Sequence, residues 1–204
     1  MHELRRGVFI ALEGVDGAGS STQTKMLVDM LVDRGFDAVA TKEPNPDGFI
    51  EPVIRRFLSG SSETPALDAL LFAADRIDHV EHFIKPWLIA KKVVVSDRYI
   101  ESSIAYQTSQ GLSESWVISI NRGAIKPDAT LIMDIDPVIS LRRKTTSPER
   151  YEREEFLGKV RSKFLERASK KGYDVIDASL PIDSVHANIV KSILPLIVSV
   201  SRKP

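Results

Sequence analysis

The sequence predicts an α/β fold in which helices cover both faces of a parallel β-sheet. Short apolar segments typical of strands recur along the chain, and longer segments with helical spacing of apolar residues separate them. Alternation of this kind favours a parallel sheet buried between two helical layers. Because ligands of such folds bind beyond the carboxyl ends of the strands, we expect the functional loops after Leu12, Ser96 and Met133. The predicted strands are residues 8–12, 38–41, 93–96, 130–133 and 175–176.

Three predicted helices carry apolar residues at helical spacing, and such a stripe normally faces the core of the protein. The first stripe is Leu67, Leu70, Leu71, Ala74, Ile77, Ile84 and Leu88. The second stripe is Leu157, Val160, Phe164 and Ala168. The third is Ile182, Val185, Ile189, Ile193 and Ile197, and we expect Pro181 in the first turn of that helix.

The composition excludes several classes of protein. The 204 residues suffice for one domain with a small lid, and 43% hydrophobic and 27% charged residues indicate a globular chain. Basic and acidic residues balance at 28 each, so we expect no nucleic-acid or membrane partner. Absence of cysteine excludes disulfides and thiol nucleophiles. The apolar run at residues 8–12 is too short for a signal peptide, which predicts a cytoplasmic protein.

A glycine-rich segment follows the first predicted strand. Gly14 and Gly19 have the spacing of the phosphate-loop pattern G-x-x-x-x-G-K-[ST], and Ser21 occupies the position whose hydroxyl contacts Mg²⁺. Small residues let backbone N–H groups approach a phosphate, and the next helix directs its N-terminus at the anion. We therefore expect nucleotide phosphates to bind at Gly14, Val15, Asp16, Gly17, Ala18, Gly19, Ser20, Ser21 and Thr22.

This loop departs from the pattern at one position, because residue 20 is serine and not lysine. The usual lysine neutralises charge on the transferred phosphoryl group. Loss of one well-placed donor of this kind costs about 10²–10³ in rate. Lys25 is no substitute, since five residues along the predicted helix it points away from the loop. Either another cation supplies this charge, or the protein is slow or inactive.

Five segments together resemble the thymidylate kinase family. They include residues 97–107, which begin with the family's Asp-Arg-Tyr signature, and Thr-Lys-Glu-Pro at residues 41–44, where the family has Thr-Arg-Glu-Pro. The others are residues 9–19, 70–76 and 126–137, and the resemblance extends from about residue 8 to residue 190. It implies a P-loop nucleoside monophosphate kinase with a five-stranded parallel sheet, a lid at about residues 142–153 and a homodimeric assembly. The implied reaction is phosphorylation of dTMP by ATP with Mg²⁺.

The resemblance also assigns the residues near the phosphates. It implies that Arg98 holds the acceptor phosphate, that Asp97 helps Ser21 to organise Mg²⁺, and that Asp16 contacts the 3′-hydroxyl of the acceptor sugar. A carboxylate and a guanidinium at the end of a strand suit a metal ion and a phosphate. A surface ion pair is the alternative for Asp97 and Arg98. One of Arg55 and Arg56 can also reach the acceptor phosphate, unless both lie on a solvated helix face.

For the base and sugar, the resemblance implies that Phe72 stacks on thymine and Arg76 donates a hydrogen bond to its carbonyl. Ser103 would read the pyrimidine edge, with Gln107 as a further contact, and Tyr106 would disfavour a 2′-hydroxyl. Ordinary packing is the alternative for Tyr106. Helical geometry places Phe72, Arg76, His79 and Phe83 opposite the first apolar stripe, where a base or a dimer interface would cover the aromatic rings. We expect His79 and His82 to be structural or surface residues, not metal ligands.

The predicted lid is rich in basic residues, whereas the phosphate loop has none. We therefore expect lid arginines, with Arg143 and Arg150 as catalytic candidates, to close over ATP and to replace the missing lysine. A solvated basic loop is the alternative. Two further alternatives concern function: a kinase of another monophosphate such as dUMP, or a nucleotide-binding protein with little catalysis. The basic residues of the segment are Arg142, Arg143, Lys144, Arg150 and Arg153.

Overall fold

The computed structural model describes residues 4–59, 64–143 and 153–201, so Arg150 and residues 144–152 of the predicted lid lie outside the described residues. Within the described part, five strands form one parallel sheet in the order β2-β3-β1-β4-β5. Every predicted strand segment falls inside one of them, which confirms the predicted fold class. The strands are β1 (Val8–Gly14), β2 (Ala38–Lys42), β3 (Val93–Asp97), β4 (Ala129–Asp134) and β5 (Asp174–Asp177).

Helices connect consecutive strands, as parallel pairing requires. A turn of π-helix, Val80–Ile84, joins α3 directly to α4. The described helices are α1 (Ser20–Asp33), α2 (Glu51–Ser59), α3 (Pro65–His79), α4 (Lys85–Ile89), α5 (Ile100–Ser109), α6 (Glu114–Ile120), α7 (Pro137–Arg143), α8 (Glu154–Lys171) and α9 (Ile182–Val200).

The buried apolar side chains around the sheet form two clusters. Alternate residues of a strand point to opposite faces, and β1 therefore sends Val8, Ile10 and Leu12 into the larger cluster and Phe9 and Ala11 into the smaller one. The larger cluster contains the inner faces of α1, α8 and α9. The smaller cluster contains the π-helical turn and Tyr99. Both faces of the sheet are thus covered, as the continuous apolar runs of its central strands predict.

The stripes of α8 and α9 face the core, as their spacing predicts. All four residues of the α8 stripe are buried, and so are Val185, Ile189, Ile193 and Ile197 of α9. Ile182 is half exposed, and Pro181 precedes the helix as its N-cap and does not lie in the first turn. By length and composition alone α9 could also cross a membrane. Here the buried residues of its inner face pack against the sheet.

The first stripe is oriented the other way, and the prediction that it faces the core is wrong for α3. Leu67, Leu70 and Ile77 are 44–48% exposed, whereas Arg76 and His79 on the opposite face are almost completely buried. The cause lies in the surroundings of α3. The inner face of α3 borders a polar cavity and charged side chains and not an apolar layer. Periodicity defines two faces of a helix, but the surroundings determine which face is inside.

Candidate active site

A cavity of about 990 Å³ lies at the carboxyl ends of β1, β2 and β3. It contains the residues predicted for phosphate, sugar and base in one continuous space. Of the predicted loop residues, Gly14 and Val15 do not line it, and Val15 is buried in the larger cluster. The predicted residues that line the cavity are Asp16, Gly17, Ala18, Gly19, Ser20, Ser21, Thr22, Phe72, Arg76, Asp97, Arg98, Ser103, Tyr106, Gln107 and Arg143.

The backbone of the phosphate loop requires glycine at two positions. Gly17 has a φ of 80°, and an added Cβ would lie 2.4 Å from the backbone oxygen of Ser140. Gly19 has a φ of 89° and is the N-cap residue of α1, so the helix begins at Ser20 with its first N–H groups beside the cavity. The first N–H groups of a helix have no partner within that helix. The loop therefore presents the donors that suit a phosphate group.

A hydroxyl and a carboxylate lie together at the start of α1. The Ser21 hydroxyl donates a hydrogen bond to Oδ2 of Asp97. The other carboxylate oxygen of Asp97 is buried and accepts no hydrogen bond from the described residues. Oxygen ligands of these two kinds, with space for water and phosphate oxygens, are the ligands that Mg²⁺ prefers. These residues therefore fit a magnesium ion.

Arg98 organises the centre of the cavity. Its backbone is held in the left-handed region, with a φ of 69°, a conformation that is uncommon for a residue with a side chain and occurs most often at functional sites. Its guanidinium donates to the backbone oxygen of Gly14 at 2.8 Å and to Oδ1 of Asp16 at 2.9 Å. The Tyr106 hydroxyl donates to Oδ2 of Asp16, also at 2.9 Å. Both oxygens of Asp16 are thus fixed, one by Arg98 directly after β3 and the other by Tyr106 of α5.

Glu13 supports this arrangement from behind, although sequence reasoning gave it no role. Its carboxylate accepts hydrogen bonds from the backbone N–H groups of Glu101 and Ser102, both at 3.0 Å, and from the Ser102 hydroxyl at 2.5 Å. Complete burial raises the pKa of Glu13 to about 7, although the bond from Ser102 opposes the increase. Glu13 therefore fixes the N-terminus of α5, the helix that carries Ser103, Tyr106 and Gln107.

One half of the cavity, here called the base half, is lined by the residues predicted to bind the base: Phe72, Arg76, Ser103 and Gln107. Arg76 is only 2% exposed there. Its Nε and Nη2 atoms donate to one oxygen of Glu43, at 2.8 and 2.6 Å. Nη2 also contacts the Ser103 hydroxyl at 2.9 Å and the backbone oxygen of Tyr99 at 3.1 Å. Nη1 donates to the side chain of Asn121. One hydrogen of Nη1 has no partner among the described residues, so the guanidinium can donate once more while the protein fixes its plane.

His79 continues this network away from the cavity. Its Nδ1 lies 3.2 Å from the second oxygen of Glu43, and its Nε2 lies 2.7 Å from the Thr41 hydroxyl. An ionised carboxylate only accepts hydrogen bonds, so Nδ1 of the histidine carries the hydrogen. The ring is completely buried, in agreement with a structural role. In the described part of the chain no group of three His, Cys, Asp or Glu side chains could hold a metal ion.

Comparison with known proteins agrees with this geometry. The family model for thymidylate kinase matches residues 12–189. The chain belongs to the thymidylate kinase family. It is 40% identical over 202 residues to the probable thymidylate kinase of Thermococcus kodakarensis, an alignment that covers 93% of this chain and 98% of the relative. The probable thymidylate kinases of Pyrobaculum aerophilum and Pyrococcus horikoshii are 44% and 39% identical and each cover 91% of this chain and 95% of the relative.

Of the two catalytic candidates in the predicted lid of this thymidylate kinase family member, Arg143 is the one that the structure describes. It ends α7 and lines the cavity. Its guanidinium donates to the backbone oxygen of Ala178 at 2.9 Å and is 3.4 Å from that of Ser179. It therefore joins α7 to the loop that follows β5. Arg150 lies outside the described residues, and its catalytic role stays a prediction.

Sequence reasoning missed several residues that line the cavity. Lys42 and Glu43 belong to the Thr-Lys-Glu-Pro segment at the carboxyl end of β2, so their position gave a signal that the motif analysis did not use. Tyr99 directly follows the Asp-Arg pair, and Ser102 lies three residues further along, in α5. Residues 178–182, which form the wall beside Arg143, carry no motif for ligand binding, although Pro181 and Ile182 mark the start of a helix. Of the neighbouring arginines, Arg55 lines the cavity and Arg56 does not.

Proposed function

We propose that this chain transfers the terminal phosphoryl group of ATP to dTMP and releases dTDP and ADP, with Mg²⁺ as the metal ion. Members of the thymidylate kinase family use a nucleotide as the phosphate donor, and ATP is the donor that we propose here. The observation that carries the proposal is the Asp16–Arg98–Tyr106 cluster, which lies between the phosphate loop and the base half of one cavity. Two nucleotides can therefore meet end to end.

In this proposal Arg98 binds the acceptor phosphate and Asp16 binds the 3′-hydroxyl of its sugar. An oxygen of the acceptor phosphate attacks the terminal phosphorus of ATP in line, and the bond from that phosphorus to the oxygen of the departing ADP breaks. Ser21 and Asp97 would hold Mg²⁺, which supplies positive charge to the donor phosphates when bound. Catalysis then rests on positioning and charge neutralisation, and it requires no covalent intermediate on the protein.

The base half of the cavity suits a pyrimidine with a protonated N3. Arg76 has one N–H donor left for the O4 carbonyl of thymine. The Gln107 side chain is almost completely buried, and its amide oxygen has no partner among the described residues, so it can accept the N3–H. Cytosine presents the opposite pattern, an acceptor at N3 and a donor at C4. Phe72 lines the same space as the proposed stacking surface.

In this proposal Tyr106 lies beside the sugar of the acceptor. Its ring is 8% exposed and its hydroxyl is bound to Asp16, the proposed partner of the 3′-hydroxyl. A 2′-hydroxyl on the acceptor would therefore approach a filled and fixed side chain. We propose that this contact favours deoxyribonucleotides.

The assembly that we propose is a homodimer. The exposed side of α3 presents Leu67, Leu70 and Ile77, and Ile118 of the neighbouring α6 is also exposed. Several large apolar side chains exposed on two neighbouring helices suit an interface with a second copy of the chain. We further propose that residues 1–204 form a single domain with a lid at about residues 142–153, and that the protein is cytoplasmic.

The function is tested with the purified protein, ATP, Mg²⁺ and dTMP, dUMP, dCMP and UMP as acceptors, followed by chromatographic separation of the products. Formation of dTDP at the highest rate is the expected result. A different preferred diphosphate would replace the proposed acceptor. Measurable binding of ATP and dTMP without product would identify a nucleotide-binding protein with little catalysis.

A further inference from the structure

The cation that the phosphate loop lacks can be sought among the charged side chains of the cavity. Ser20 occupies the position of the usual lysine and begins α1. Five described basic side chains line the cavity, and four of them have partners. Arg76 is bound by Glu43 and Arg98 by Asp16, while Arg143 donates to backbone oxygens and Arg55 is paired with Glu51. The fifth, Lys42, has no hydrogen bond or ion pair with any described residue.

The strand register places Lys42 beside the proposed magnesium ligands. Lys42 is the last residue of β2, and its Cα is paired with that of Asp97 in the neighbouring strand β3. Adjacent strands lie about 4.8 Å apart, so the two side chains leave the sheet edge close together. Asp97 accepts the hydrogen bond of Ser21, at the start of the helix that follows the phosphate loop.

The residues before Lys42 in β2 show to which face of the sheet the Lys42 side chain points. Val39 packs against the smaller apolar cluster, and Thr41 contacts His79 of α3 on that same face. Because side chains alternate along a strand, Lys42 points to the opposite face, together with Ala38, which packs against the larger cluster. That face is the one covered by α1, to which the side chain of Asp97 also points.

We propose that Lys42 supplies the positive charge beside the transferred phosphoryl group. It would replace the lysine that the usual phosphate loop carries at the position of Ser20. This inference rests on the proposed function. The lysine approaches from the end of β2 and not from the loop, on a flexible four-carbon side chain that ends in a compact charge. It neither accepts nor releases a proton. It stabilises the charge on the phosphoryl oxygens while the bond to the acceptor oxygen forms and the bond to the departing ADP oxygen breaks.

The test compares three variants of the full-length chain: Lys42→Met, which removes the charge at similar length, Lys42→Arg, which keeps it, and the double variant Ser20→Lys/Lys42→Met, which restores a lysine at the usual position. Steady-state kinetics give kcat and the KM values for ATP and dTMP. Calorimetric titration gives the Kd for dTMP, and thermal unfolding reports whether each variant folds. Lys25→Met is the matched control, because Lys25 is exposed on α1 and does not line the cavity.

We expect Lys42→Met to reduce kcat about 10²–10³-fold, with a Kd for dTMP within threefold of the wild type and an unchanged unfolding temperature. Lys42→Arg should retain at least a tenth of the wild-type kcat. The double variant should recover at least tenfold in kcat over Lys42→Met, since a lysine at residue 20 reaches the same phosphoryl group. Recovery of this kind would not follow if Lys42 had only a structural role.

Three results would overturn the inference: a kcat for Lys42→Met within threefold of the wild type, a loss that appears only in the Kd for dTMP, or a lost kcat that the double variant does not recover. These results differ from failure of the proposed function. If the wild-type protein itself forms no dTDP, the function is wrong, whereas the inference about Lys42 is decided by the ratio of variant to wild type.

Discussion

The two halves of the cavity differ in how their charged groups are held. In the base half, Arg76 and Glu43 are almost completely buried and form an ion pair. His79, which lies behind them and outside the cavity, is also buried and contacts Glu43. The phosphate half is lined by the phosphate loop together with Lys42, Asp97 and Arg98. In this half, the side chains of Arg98 and Asp16 are 20% and 28% exposed. Lys42 and one oxygen of Asp97 have no partner there among the described residues. The first half is matched internally, and the second keeps charge that the fold alone does not satisfy.

This difference follows from what each half is proposed to bind. A base is neutral and is recognised by directional hydrogen bonds. The donors and acceptors of the protein must therefore be fixed before the base binds. Phosphates are highly charged and arrive with their own compensating metal ion, so unmatched cations around them cost little when they are solvated. Substitutions in the base half should therefore lower stability, and substitutions in the phosphate half should lower rate.

The largest expected effect is in the phosphate half. Arg98→Met should lower kcat/KM for dTMP by about 10³-fold, because it removes the proposed ligand of the acceptor phosphate and releases Asp16. Steady-state kinetics check the loss, and Lys159→Met on the exposed face of α8 is the control that should leave kinetics unchanged. A loss smaller than tenfold, or one explained by unfolding, would show that the charge of Arg98 does not control the rate.

The second prediction concerns the buried ion pair of the base half. Glu43→Ala should lower the free energy of unfolding by about 3–5 kcal/mol, because Arg76 is left as an uncompensated buried charge. Urea unfolding measures this change. Glu155→Ala removes an exposed partner of Lys159 and should leave stability unchanged within error. Equal effects of the two substitutions would show that the base half is not internally matched as its geometry indicates.

A third prediction uses the raised pKa of Glu13. Because this pKa is about 7 in the folded protein and near its ordinary value of 4.5 in the unfolded chain, the native state retains a proton that the unfolded state has lost between these values. Stability from this residue is fully present below about pH 4.5 and is lost as the pH rises through 7, by about 3 kcal/mol in total.

Glu13→Gln tests this prediction because glutamine stays neutral. The free energy of unfolding of wild type and variant, measured by urea between pH 4.5 and 7.5, should diverge in favour of the variant as the pH rises. A difference that is constant across this range would mean that Glu13 titrates alike in both states. Glu13 would then stabilise α5 through its hydrogen bonds, without a contribution that depends on pH.

The smallest expected effect is at the far end of the base network. Thr41→Val keeps the shape of the side chain but removes the hydroxyl that contacts Nε2 of His79, and it should lower the unfolding free energy by about 1 kcal/mol. The Kd for dTMP should stay within twofold of the wild type, since Glu43 still holds Arg76. A larger change in binding than in stability would show that the network acts on recognition as well as on folding.

The sequence could predict much of the fold and part of the site because both depend on local patterns. Strand positions followed from short apolar runs, and Asp97 and Arg98 were placed correctly since both follow from the end of β3. The orientation of α3 could not be predicted, because polar partners of its inner face lie directly after β2 and α6, far away in the sequence. The partners of Arg76 were missed for the same reason, as Glu43 and Asn121 are 33 and 45 residues away in the chain.

The alternation of strands and helices can be predicted from the sequence alone, and so can the glycine positions of the phosphate loop and the absence of its lysine. Those features are properties of residue type and spacing, which act within a few residues. The pairing of the cavity arginines, and the lack of a partner for Lys42 among the described residues, depend on the tertiary structure. Hydrogen bonds and ion pairs depend on distances of about 3 Å between atoms, and residues distant in sequence reach such distances only when the strands that carry them are aligned in register.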